Sequence, residues 1–109
     1  MALKVFRSDR LQDSEKAYRE WLRDNPDGFV VNALKSASGK NTKSDETATC
    51  IHYATCKCIN PLLSQVDKTG FTTGRYQKLC ATSFEMAEKE AKRTTGLLVV
   101  NKCGTCKIA

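Results

Sequence analysis

The chain has 109 residues, 40% of them apolar and 7% aromatic, with a mean hydropathy of −0.46 and a formal charge of +6. This length and composition fit one soluble domain with a thin core, and no apolar run approaches the ~18–20 residues of a membrane helix. The first 48 residues carry nine Lys/Arg against eight Asp/Glu and the last 61 carry nine against four, so the basic excess lies in the second half. It shares that half with all six cysteines.

The opening residues turn charged at once, without the apolar stretch of a secretion signal, so a cytoplasmic protein with reduced thiols is expected. Residues 3–6 alternate and predict a short strand. A helix follows from Asp13 or Ser14, with Ala17, Tyr18, Trp21 and Leu22 on one stripe. Trp21 reads as a core anchor. Asn25-Pro26-Asp27-Gly28 ends the helix with turn chemistry.

Residues 28–34 read as a second strand. Residues 35–49 are rich in Ser, Lys, Thr, Gly and Asn and predict a mobile loop inside the single domain 1–109. Strands are expected at 50–54 and 75–81, with loop-like sequence between. Thr82-Ser83-Phe84-Glu85 has the form of a capping box with Thr82 as N-cap, opening a helix to about residue 93. The apolar run 97–100 predicts a final buried strand. The order suggests an α+β fold with a small, mainly antiparallel sheet and two helices, tied by one structural zinc ion.

The zinc expectation comes from the cysteines. Cys103-Gly104-Thr105-Cys106 is C-x₂-C, a spacing that aims two thiolates at one tetrahedral ion, with Gly104 expected to relieve the turn. His52 and Cys56 form H-x₃-C and supply a second pair. Cys80, at a predicted strand end before a helix, competes with His52 for the fourth position. The candidate ligands are therefore four of His52, Cys56, Cys80, Cys103 and Cys106, with Zn²⁺ as the cofactor. Cys50 and Cys58 are left as packing residues or free thiols.

With Ile51-His52 and Cys56 followed by Cys103-x₂-Cys106 near a basic surface, the chain resembles zinc modules related to the N-terminal domain of the Ada DNA-repair protein. The combination of His52-x-Ala54-x-Cys56, Lys78-x-Cys80-Ala81 and Cys103-Gly104-x-Cys106 also resembles small uncharacterised domains associated with restriction-type nucleases. Both resemblances imply a zinc-bearing module that works on nucleic acid. The separation of 46 residues between Cys56 and Cys103 exceeds that of the Ada-like modules, and the first ligand here is His.

No phosphate-binding loop, zinc-protease helix, nucleophile elbow or dinucleotide turn is present in the sequence, and a deaminase would need Glu where residue 54 is Ala. A non-enzymatic role is expected. Lys57, Arg75, Lys78, Lys102 and Lys107 surround the cysteines in sequence and are expected to meet phosphates, with Tyr53 and Tyr76 as possible stacking rings. The expected partner is nucleic acid, DNA before RNA, with a larger protein partner also open and no membrane. A protein-interaction domain with purely structural zinc and a zinc-thiolate alkyl acceptor are the alternatives.

Overall fold

A computed structural model describes residues 3–63 and 71–106. Five strands form one sheet: β1 (Lys4–Phe6), β2 (Phe29–Leu34), β3 (Cys50–Tyr53), β4 (Tyr76–Ala81) and β5 (Asn101–Lys102). Their order across the sheet is β1-β4-β2-β3-β5, antiparallel except for the β3/β5 edge pair. Three helices accompany them: α1 (Ser14–Asp24), α2 (Lys43–Ala48) and α3 (Phe84–Thr95). This is the expected α+β class with a mainly antiparallel sheet, plus one helix more than the two expected. No helix among the described residues is long and apolar enough to cross a membrane.

The topology contains two parallel crossovers. β1–α1–β2 steps over β4, and β4–α3–β5 steps over β2 and β3. Both move the same way across the sheet, but their strands run in opposite directions. A common right hand for the two units therefore requires their helices on opposite faces. The packing agrees. Tyr18, Trp21 and Leu22 of α1 are buried with Phe6, Val30 and Cys80 on one face. Ala87 and Ala91 of α3 are buried with Val31, Ala33, Ile51 and Leu79 on the other. Successive strand residues alternate between these faces, so the central strands β2, β3 and β4 contribute to both cores.

Local chemistry explains the helix ends. Trp21 is the expected core anchor, and it lies against Gly28, where an added Cβ would come within 2.7 Å of the indole. At α3 the cap is Ser83, not Thr82: its Oγ accepts the Met86 N–H at 3.2 Å. Gly96 closes the helix at φ 78°, and its N–H donates to the Lys92 carbonyl.

Two expectations are corrected. The stretch expected to be a loop over 35–49 contains α2, opened by a capping interaction in which Thr42 Oγ1 accepts the Asp45 N–H and donates to Asp45 Oδ2. The run 97–100 is not a strand. Leu97 and Val100 are buried, but Leu98 and Val99 are 83% and 78% exposed. The strand is the polar pair after it, because an edge strand pairs through its backbone and needs no apolar side chains.

Candidate metal centre

β3 and β5 bring the cysteine motifs together. β3 ends at Tyr53, and the chain turns back at Cys56, whose N–H donates to the Tyr53 carbonyl at 3.0 Å. Further hydrogen bonds fasten the turn. The Asn60 Nδ2 donates to the Ala54 carbonyl at 2.6 Å, the Asn60 N–H to the Cys56 carbonyl, and the Tyr18 hydroxyl to the Ile59 carbonyl. On the neighbouring strand, pairing of Ile51 with Lys102 and a Cys103 N–H to Ile51 carbonyl bond of 2.8 Å set Cys103 beside this turn.

The result is a quartet. One ligand atom each from His52, Cys56, Cys103 and Cys106 all lie within 4.8 Å of one another. The Sγ atoms of Cys56 and Cys103 are 3.8 Å apart. His52, Cys56 and Cys103 are buried and Cys106 is half-buried. His52 Nδ1 is buried and has no hydrogen-bond partner among the described residues. An unpartnered buried nitrogen costs free energy that a bound cation would recover. The donor set and the orphaned nitrogen both fit a metal ion.

The electrostatics favour the ligand form at His52 and Cys103 and oppose it at Cys56. Burial first, and then the Lys78 ammonium, hold the His52 imidazole down at about 4, so it is neutral and able to ligate. At Cys103 burial pushes the thiol up, but the N–H groups of Cys106 and Thr105 and the neighbouring cysteines outweigh it and bring it to about 7. The Tyr53 N–H donates to Cys106 Sγ at 3.4 Å, tying that side chain to the end of β3. Burial raises Cys56 well above the ordinary thiol range.

Cys80 stands outside the quartet. In the sheet Val30 pairs with His52 on one side and with Cys80 on the other. Two strand spacings, roughly 10 Å, therefore separate the two backbones. Cys80 is fully buried in the α1 core, and burial drives its thiol far up. Cys50 is half-buried beside the quartet, and burial followed by the charges of Cys103 and Cys106 raises it to about 11. Cys58 is exposed. Gly104 does not have a positive φ, and a Cβ there would meet nothing within 4 Å, so the turn does not require glycine.

The basic residues do not form one surface. Lys57 is exposed beside Cys56, and exposed Lys102 precedes Cys103, its ammonium 5.1 Å from the Phe84 ring. Arg75 is exposed at the opposite end of the sheet, next to Tyr76 and Leu34. Lys78 is not a surface residue. It is 4% exposed, with its ammonium 2.6 Å from Asn32 Oδ1 and near the Phe71 and Tyr76 rings. It points with Cys80 toward the α1 core, because residues two apart in a strand share a face. Lys107 lies outside the described residues. Tyr53 packs on Phe29 with ring centroids 5.5 Å apart. No protein-family model, curated protein or solved structure matches this chain.

Proposed function

We propose that the protein is a zinc-stabilised module that binds nucleic acid, with the metal in a structural role. The quartet carries the metal half of this reading. Three sulfurs and one imidazole are soft and borderline donors, which suit zinc over magnesium or calcium. Zinc–sulfur bonds of ~2.3 Å put the sulfurs of a tetrahedral site ~3.8 Å apart. The Cys56–Cys103 separation of 3.8 Å agrees with that edge. Four protein ligands leave no open coordination position, the mark of a structural and not a catalytic site. The fold also has work for such an ion, since β5 has only two residues, both exposed.

The nucleic-acid half rests on charge. Three thiolates and one Zn²⁺ together add −1, which leaves the formal charge of +6 near +5. Exposed Lys57 lies beside Cys56, exposed Lys102 lies at the same sheet end with its ammonium over Phe84 on the α3 face, and Arg75 adds charge at the far end. Native mass spectrometry with and without chelator tests the metal, and one zinc per chain is expected. Fluorescence anisotropy with labelled oligonucleotides tests the partner. Affinity is expected to fall steeply with salt as counterions are released. Affinity unchanged between low and moderate salt refutes nucleic-acid binding through phosphates.

A second reading, a protein-interaction module with the same zinc, is favoured by one observation. Leu98 and Val99 are consecutive and largely exposed, side by side on the surface. A salt-insensitive protein complex lost on Leu98→Ser/Val99→Ser would select it.

A further inference from the structure

The sheet end remote from the metal centre holds a cleft of about 870 Å³ between α2 and the ends of β2 and β4. That is within the roughly 300–1,000 Å³ range of small-ligand sites. Three cations line it: Lys35, Lys43 and Arg75. Among the described residues no carboxylate does. Among the described residues none of the three forms an ion pair. The Lys35 ammonium donates to the Ser8 hydroxyl at 2.7 Å, and its charge also reaches Asp9, whose carboxylate is paired with Arg7. Arg75 lies over the Tyr76 ring, 5.5 Å from its centroid.

The walls are held by backbone. The Lys35 N–H donates to the Arg75 carbonyl at 2.8 Å, and Asn32 Nδ2 donates to the Ala48 carbonyl at 3.2 Å, which seats α2 on β2. Hydroxyls of Ser36 and Ser44 add neutral donors to the rim, the Thr47 hydroxyl donates to the Lys43 carbonyl, and Leu34, Ala48 and Tyr76 form an apolar floor. Cations, hydroxyls and an aromatic floor without a carboxylate match a ligand that is anionic along one edge and flat and apolar on the other. A nucleotide has that form, and every base offers a π-face for stacking. A duplex keeps its bases stacked inside, where this concave floor cannot reach them.

We propose that this cleft is the site that holds single-stranded nucleic acid, with phosphates at Lys43, Arg75 and Lys35 and a base on Tyr76. This rests on the nucleic-acid reading above and moves its contact surface away from the metal. It makes the zinc end and the binding end separate parts of one small sheet.

The test compares two double variants of the zinc-loaded full chain: Lys43→Gln/Arg75→Gln in the cleft and Lys57→Gln/Lys102→Gln at the metal end. All four side chains are exposed, so zinc stoichiometry and circular dichroism should be unchanged in both. The probe is a fluorescent oligothymidylate, titrated over a salt series. The cleft variant is expected to bind at least tenfold more weakly, with the slope of log affinity against log salt reduced by about 1.4 for two lost phosphate contacts. An iodouracil-substituted strand is expected to crosslink to the peptide holding Tyr76. Unchanged affinity in the cleft variant, with loss in the metal-end variant, overturns the cleft while the nucleic-acid reading stands. Equal affinity for the matched duplex overturns the single-strand assignment. No binding by the unaltered protein at low salt removes both the cleft and the reading it rests on.

Discussion

Replacing Cys56 by serine removes one donor from the quartet and leaves the other three in place. Structural zinc contributes about 10–16 kcal/mol in small zinc-dependent folds. The whole stability of a domain this size is about 5–15 kcal/mol. Losing even a part of the metal term is therefore comparable to losing the fold. Removing an outer-shell partner alone weakens metal sites by about 10–100-fold, so loss of a direct ligand should exceed about 100-fold, or about 2.7 kcal/mol. Competition with a chromophoric chelator measures that affinity, and native mass spectrometry counts the ions. Hydrogen exchange should show lost protection over residues 51–60 and 101–106, the two segments the ion joins. Cys80→Ala is the matched control. It should keep one zinc at unchanged affinity and lose about 1–2 kcal/mol of stability, because Cys80 is fully buried against Phe6, Tyr18 and Val30. If Cys80→Ala releases the metal while His52→Ala retains it, the strand register argument for His52 is wrong. If the unaltered protein stays folded with no metal bound, the centre itself is refuted.

Ser83→Ala should cost about 1 kcal/mol in urea unfolding and Thr82→Ala almost nothing, because only the Ser83 hydroxyl caps α3. Gly96→Ala should cost more than about 2 kcal/mol in the same assay: φ is 78° and the new Cβ would lie 2.3 Å from the Gly39 carbonyl oxygen. Burial holds the Lys78 ammonium at about 8, below its ordinary 10.5. Between those values the unfolded chain binds more protons than the native state, so stability rises with pH, and the full penalty is present below 8. The stability difference between Lys78→Met and the unaltered zinc-loaded protein should therefore shift by about 2–3 kcal/mol toward the unaltered protein from pH 7 to pH 10. A difference that does not change with pH assigns the effect to packing instead.

The sequence showed most where the chemistry is local. A C-x₂-C and an H-x₃-C have a spacing that suits a pair of metal ligands, a local property, and α1 was legible because its apolar stripe and its Asn25-Pro26 stop lie within a few residues. Choosing between His52 and Cys80 needed the strand order, a long-range property that no window of sequence contains. The burial of Lys78 has the same origin. Its charge suggested surface, but its parity with Cys80 in β4 turns it toward α1. α2 was hidden by composition, since five polar residues and one alanine give no apolar stripe, although Thr42 and Asp45 stand at capping spacing. Residues 97–100 misled for the opposite reason. An apolar run was read as a strand, but only its two outer residues are buried, at a spacing of three that an irregular turn satisfies as well.

The two arms of the metal centre also differ in when they can form. His52 and Cys56 lie four positions apart on one turn, so half of the ligand set is available as soon as that turn closes. Cys103 follows 47 positions after Cys56. In the native topology it lies beyond β4, which sits between β1 and β2, and beyond α3, which crosses the far face, so it is expected to reach the site last. Closing a loop of that length costs about 3 kcal/mol in chain entropy, which the assembled sheet has already met by then. Zinc would thus serve as a latch thrown at the end of folding, not as a nucleus at its start. The speed of metal uptake by unfolded chain would then be set by the arrival of the last strand, whatever the concentration of the ion.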